Sequence, residues 1–440
     1  MRHPYNPRRP APIVPALSTI LLLAGFAAGV PIAAPARADD LGDTLQFVPI
    51  SPAEDEVSHE TAFDHENRWE RAWLQDPFHR HLLSHGRHVV YDDHGFSDWD
   101  GVLDYNRVDE LRLGASTQAQ GRWHFAPRFG AQLSYATGRR RWLYGAQLEQ
   151  PLDAANHFGL GVSMSRATDY LDLNQVDDFE NSMALLFGRQ DYRDYFEREG
   201  VDAYVAARWP GVTTLSGHVR QDQYRSLAAL DVRSWFHQNR TLRPNPPIDE
   251  GELHALAVRL ERHARHSVGF YHWIEFENAG HGLGGDFEYQ RALADLRTVI
   301  RLSPGTRLNL RAVGGSGLSG DLPSQRTFTI GGVDGLRAHS FGAFRGDQVA
   351  LAQAEYTVGF GGLGRSRHFD FEGLHAIVFV DAGNAWTSPG HDWDPDRQHY
   401  ALDGGFGLGT NEDDLRIYFA RDLRDPGSDF VISARLQRPF

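Results

Sequence analysis

The sequence predicts an all-β protein: a transmembrane antiparallel β-barrel of about 16 strands, with a short, partly helical N-terminal segment. Three observations carry this. The chain opens with a secretory leader. From Tyr105 onward, short segments alternate apolar and polar residues between Gly, Pro, Asn and Asp breaks. The last strand ends on an aromatic residue, Phe440.

The leader comes first. Arg2, Arg8 and Arg9 make a basic start, Ile13 to Val30 is mostly apolar, and Ala36-Arg37-Ala38 is a small-x-small cleavage site before Asp39-Asp40. Residues 1–38 are therefore read as a signal peptide. No other run approaches the roughly 20 apolar residues a spanning helix needs. The mean hydropathy of −0.46 looks soluble, but a barrel looks the same because only alternate residues face lipid.

Residues 39–104 form a second segment, read as a short periplasmic or plug element. It holds seven histidines and a helix-like stretch from about Glu60 to His85. Residues 105–440 are the barrel. Leu111, Leu113 and Ala115 alternate with Arg112, Gly114 and Ser116. Phe158, Leu160, Val162 and Met164 alternate with Gly159, Gly161, Ser163 and Ser165. That is the period of a strand, not of a helix. In lipid every backbone N–H and C=O must pair within the protein, so such a sheet has to close. The pattern is weakest at 211–236, and Asn181 to Gly200 does not alternate, which predicts a helix on a loop. In the last strand Phe430, Ile432, Ala434 and Leu436 share the greasy face, opposite Val431, Ser433, Arg435 and Gln437.

A soluble β-sandwich or propeller also alternates. Against it stands the placing of Arg297, Arg301, Arg307 and Arg311 on the inward face, since unpaired buried charge is costly and a watery lumen tolerates it. The composition narrows function as well. With no cysteine there is no disulfide framework, thiolate metal site or Cys nucleophile. A formal charge of −14 argues against nucleic acid as a partner.

The last quarter carries a resemblance. Gly331-Gly332 precedes Leu336-Arg337. Gly346-Asp347 leads to Glu355-Tyr356, and then come Phe379-Val-Asp381-Ala-Gly383, Gly405-Phe-Gly-Leu-Gly409 and Leu415-Arg-Ile-Tyr-Phe419. This combination resembles the C-terminal half of the BamA/TamA-type outer-membrane assembly barrels, the bacterial surface antigen family. The resemblance implies a Gly-Gly run before a long loop, here between Leu310 and Val349. The loop tip would carry Leu336 and Arg337 into the lumen, towards wall strands bearing Glu355, Phe379, Asp381 and Gly383. Arg337 would then meet Asp381. Two departures stand out. The family's Gly-aromatic after the Arg is Ala338-His339 here, and residues 39–104 are short for a polypeptide-transport-associated domain.

Other chemistry is weaker. His81, His85 and His88 fall on one face if helical, but Gly86 interrupts them, and no metal is assigned. Gly314-Gly-Ser-Gly317 is not a nucleophile elbow, because Leu318 stands where the second Gly belongs. Gly405-x-Gly-x-Gly409 opens no helix and is no dinucleotide fingerprint. The chain is thus read as a non-enzyme without cofactor, in the outer membrane of a Gram-negative bacterium. Its partners are outer-membrane lipid and a polypeptide client or assembly machinery, and the family-like role is inserting or translocating polypeptide. A passive or gated channel and a lipid-acting barrel enzyme are the alternatives.

Overall fold

The computed structural model describes residues 88–436 apart from 93–94, 122–124, 175, 210–212, 263–268, 304, 361–373, 411–414 and 426. The signal peptide, His59, His65, His79, His81, His85, His94 and the terminal Phe440 lie outside the described residues. The first half of the chain gives β1 (His88–Asp92), β2 (Gly95–Asn106), β3 (Glu110–Gly121), β4 (Arg128–Ala136), β5 (Arg141–Pro151) and β6 (Phe158–Tyr170). Helix α1 (Asp178–Gly188) follows, then β7 (Tyr195–Trp209), β8 (Thr213–Ser226), β9 (Gly251–Arg262), β10 (Gly269–Ala279), β11 (Tyr289–Ser303) and β12 (Thr306–Ser319). A long loop carries the ribbon β13 (Phe328–Ile330) and β14 (Phe344–Gly346). The wall resumes with β15 (Gln348–Gly359), β16 (Leu374–Trp386), β17 (Ala401–Thr410), β18 (Arg416–Asp422) and β19 (Val431–Arg435).

All but the ribbon form one 17-stranded sheet. Neighbours pair antiparallel, and β12 pairs β15 across the long loop. Leaving aside β1, the wall is a meander of the sixteen strands β2–β12 and β15–β19. The two faces follow the period-two reading. Leu103, Leu113, Leu133, Leu148, Leu160 and Val378 are exposed on one face, while Asp104, Arg112, Glu149, Glu277, Glu355 and Asp381 are buried on the other. A greasy outside and a charged inside is the inverse of a soluble core and suits a wall standing in lipid.

Two of the four arginines read as inward share one carboxylate, whereas Arg301 at the strand end is exposed. Arg297 and Arg311 converge on Asp295 (2.6 and 2.9 Å), Arg259 meets Glu275 (2.7 Å) and Arg128 meets Glu149 (3.1 Å). Buried charge is tolerated when it is paired in this way.

Two boundaries differ from the sequence reading. Strand β2 begins at Gly95, so the sheet starts inside the segment assigned to 39–104. The helix read at 181–200 lies at 178–188, and β7 begins at Tyr195. Tyr195, Phe196 and Glu197 are all buried, so both faces are covered there and alternation vanishes. The weak stretch at 211–236 holds a full strand, β8. Helix α1 itself starts on Asp177, whose side chain accepts the Phe179 N–H at 2.8 Å, and ends at Arg189, left-handed at φ 50°.

The connections differ in length by end. At one end of the wall lie 107–109, 137–140, 171–194, 227–250, 280–288, 320–347, 387–400 and 423–430. At the other end β3 meets β4, β5 meets β6, β7 meets β8, β9 meets β10, β11 meets β12, β15 meets β16 and β17 meets β18, across shorter stretches of chain. Outer-membrane barrels keep short turns inside and long loops outside, so the first end faces the cell exterior.

Candidate functional site: a loop pinned inside the wall

The long loop, 320–347, folds onto the inward face rather than out into solvent. Its course is set near Gly331 and Gly332, at φ 117° and 91°, where an L side chain is strained. The Gly332 N–H donates to both Leu336 O and His339 O at 3.1 Å, closing a tight turn. Leu336 is fully buried beside Leu293, Phe328, Ile330, Val349 and Leu351. At Gly383 an added Cβ would stand 2.9 Å from Leu351 and 3.2 Å from Ile330, so the wall is kept bare where the loop rests.

The wall registers bring the loop's partners together. Gln353 on β15 faces Asp381 on β16, which faces Asp403 on β17. Two residues along, Glu355 faces Phe379, which faces Gly405. Side chains two apart on a strand share a face, so these six positions form two inward rows. Arg337 enters between them. Its Nε lies 2.9 Å from Asp381 Oδ2, Nη2 lies 3.1 Å from Oδ1, and Nη1 donates to Glu355 Oε2 at 2.9 Å. The guanidinium carbon lies 3.9 Å from the Phe379 ring centre and 4.7 Å from that of Tyr418. A planar fork with a bidentate carboxylate and aromatic faces is a setting for Arg and not for Lys.

The remaining valences are filled. The Tyr418 hydroxyl donates to Glu355 at 3.0 Å, and Arg416 pairs with the same carboxylate. Gln353 Nε2 donates to Asp381 at 3.2 Å and to Gly335 O at 2.8 Å. Arg311 reaches Asp334 O at 3.0 Å. The two residues that depart from the family motif are both held by Asp403. The Ala338 N–H donates to it at 2.7 Å, and His339 Nδ1 lies 3.0 Å away. Burial works against the charge on Arg337, but Asp381 and Glu355 outweigh it, so the guanidinium titrates above its ordinary range.

The structure thus brings Gly331, Gly332, Leu336, Arg337, Glu355, Phe379, Asp381 and Gly383 into one assembly. Sequence reading named no role for Arg416, Tyr418, Gln353 or Asp403. A signal for them was present: Arg416 and Tyr418 sit on the polar face of an alternating strand, and Glu355 needs a counter-charge there. Among the described residues, no cluster of His, Asp or Glu could hold a metal ion. The assembly offers structural charge pairing between a loop and three strands.

A second feature lies at the first strand. β3 pairs β2 along its whole length, and β1 pairs Gly95 to Trp99, so β1 must occupy the edge of β2 turned away from β3. Further up, the Tyr105 N–H donates to Ser182 Oγ of α1 at 2.8 Å, and the Arg107 N–H donates to Asp191 at 3.1 Å. Glu180 of the same helix lies 2.6 Å from Arg435 on β19. Helix α1 therefore touches both the first and the last strand of the meander.

Fold and site define an outer-membrane β-barrel with a loop braced inside its wall. The Omp85 superfamily domain matches residues 266–411, which span β10 to β17 and the whole pinned loop. Among solved structures, BamA from Haemophilus ducreyi lacking POTRA domains 1–3 shares the fold. Its TM-score is 0.52 at 11% identity, covering 84% of this chain and 77% of that one. CdiB from Escherichia coli (TM-score 0.44, 11% identity, 83% and 70% covered) and CdiB from Acinetobacter baumannii (0.40, 12%, 81% and 65%) also match. No curated protein matches the chain in sequence. The matched domain makes up about a third of the chain, and the barrel is similar to those of Gram-negative outer-membrane proteins.

Proposed function

We propose that this barrel acts on polypeptides, aiding their insertion into the outer membrane or their passage across it. The observation supporting the reading is the loop held through Arg337 to Asp381 and Glu355. A passive pore gains nothing from a buried, three-strand anchor across its own interior. A barrel that works through its wall strands gains a fixed link among them. Residues Gly331, Gly332 and Leu336 shape the loop in this reading. Glu355, Phe379, Asp381 and Gly383 receive it, and Phe440 serves as the terminal barrel signal.

The test uses the purified full-length protein in liposomes, offered an unfolded outer-membrane barrel polypeptide as client. Folding of the client is followed by its heat-sensitive mobility in gels. The wild-type protein should accelerate folding over empty liposomes. Arg337→Lys, which keeps the charge but loses the fork, should lose that acceleration while its own barrel stays folded. No acceleration by the wild type, together with large steady single-channel currents, would replace this reading with a passive channel. Release of fatty acid from the liposomes would favour a lipid-acting enzyme.

A further inference from the structure

Helix α1 is built inside out. Its buried residues are Asp178, Glu180, Asn181, Ser182 and Leu185, four of them polar. Phe179 and Phe187 are exposed instead, and Phe179, Met183 and Phe187 recur every four residues along one face. The neighbouring loop adds to this face. Trp235 stands edge-on to Phe187 with ring centres 5.0 Å apart, and Phe236 stacks on Phe187 at 6.1 Å. Trp235 and Phe236 are 67% and 57% exposed, so this aromatic surface stands largely open. The Trp235 N–H donates to Leu186 O at 2.7 Å, which binds loop and helix into one unit.

The position of this unit identifies what covers it. Tyr105 and Leu103 share a face of β2, and Leu103 is exposed on the lipid side. The Tyr105 hydroxyl donates to Arg233 O at 2.6 Å, two residues before Trp235. The loop therefore laps over the outer face of the wall. The helix meets the edge of the same strand. Leu111, opposite Tyr105, turns its N–H to Thr137 on the β4 side at 3.2 Å. In an antiparallel ladder this leaves the Tyr105 N–H pointing away from β3, and Ser182 receives it. The polar side of α1 thus meets inward residues, with Ser182 donating to Asp104 at 3.0 Å and Arg112 pairing with Asp178 at 3.1 Å. Its apolar side looks outward. Tyr105 lies one residue from the exterior end of β2, the level at which barrels carry an aromatic girdle.

We infer that Phe187, Trp235 and Phe236 form a membrane-embedded face, seated in the outer-leaflet boundary between headgroups and acyl chains beside the first strand. The occupant is lipid, because the patch continues the lipid-facing surface at Leu103 and Tyr105, and because Trp and Phe on a rigid mount suit that boundary. A segment that reads as an external loop is in this way part of the wall.

The chain holds no cysteine, so a single introduced Cys carries a unique fluorescent label. Phe187→Cys and Phe236→Cys are labelled in full-length protein reconstituted in phospholipid vesicles, each checked for native mobility before heating. Leu103→Cys serves as the lipid reference. Arg397→Cys, on an exposed loop with a side chain 85% accessible, serves as the water reference. Phospholipid bearing a nitroxide near its headgroup should quench labels at 187 and 236 as strongly as at 103, and iodide should quench them far less than at 397. Iodide quenching equal to position 397 with no nitroxide effect overturns the inference. Protection from both quenchers that grows with protein density also overturns it, in favour of a contact between copies.

Discussion

Two loops of this barrel reach the same wall by different means. The loop at 320–347 is fixed through one fully engaged guanidinium, which meets two carboxylates and two aromatic rings on β15, β16 and β18. Helix α1 is fixed to β2 through Ser182, which accepts the Tyr105 N–H and donates to Asp104, to β3 by the Arg112–Asp178 pair, and to β19 by the Glu180–Arg435 pair. The first gathers its contacts on a single side chain, so its loss strands two buried carboxylates at once; the second spreads its contacts over Asp178, Glu180 and Ser182, each with its own partner. One loop is therefore a permanent brace, and the other is a strap that local opening can release.

The sharpest way to break this comparison is Arg337→Ala. It leaves Asp381 and Glu355 buried without their shared partner, a change that costs about 3–5 kcal/mol. The temperature at which the folded band disappears in heated gels should fall markedly. Arg337→Lys should fall less, because a point charge replaces half of the interaction. If Arg337→Ala unfolds at the wild-type temperature, the brace is no stronger than the strap.

The brace was legible through the family resemblance and the strap was not, for a physical reason. Arg337 and Asp381 sit in fixed local settings: a Gly-Gly turn, and a strand whose alternation places Phe379 and Asp381 inward. Each setting can be recognised from a few neighbouring residues. The contacts of α1 join Ser182 to Tyr105 and Glu180 to Arg435, pairs far apart in the chain that no local pattern announces. The helix was visible only as a break in alternation. Its inverted polarity, Phe179 and Phe187 out and Asn181 and Ser182 in, makes no sense until the wall beside it is known. The strand count near sixteen was readable because strand period survives wherever one side meets lipid. It failed at Tyr195 to Glu197, where both sides are covered.

A smaller effect is expected at the turn that aims the brace. Gly332 holds φ 91°, and an added Cβ would meet Phe341 at 3.2 Å. Gly332→Ala should cost about 1–3 kcal/mol through backbone strain. Its signature is a loop that frays before the wall melts, seen as faster protease cleavage within 320–347 at temperatures where the folded band persists. Cleavage at the wild-type rate would mean that Arg337 alone fixes the loop.

The strap should yield to still milder changes. Ser182→Ala removes the acceptor of the Tyr105 N–H, a bond contributing about 0.5–1.5 kcal/mol. Hydrogen exchange at the Tyr105 amide should quicken several-fold while amides of β15 and β16 stay unchanged. Equal exchange in both proteins would show that packing, not this bond, seats the helix.

The smallest effect is a pH dependence at the other end of the strap. Burial raises the Glu180 carboxyl above its ordinary range, and Arg435 only partly opposes this. The folded state therefore holds the Glu180 proton more tightly than the unfolded state does. That contribution to stability is complete below the ordinary carboxylate value and is lost as pH rises through the raised one. The protection factor at Tyr105, corrected for the intrinsic exchange rate, should accordingly decline as pH climbs through that window. Glu180→Gln mimics the protonated form and should flatten the decline. A wild-type protection factor that rises across the same window would mean that the Glu180–Arg435 ion pair outweighs the burial of its carboxylate, and that the strap is held by charge as the brace is.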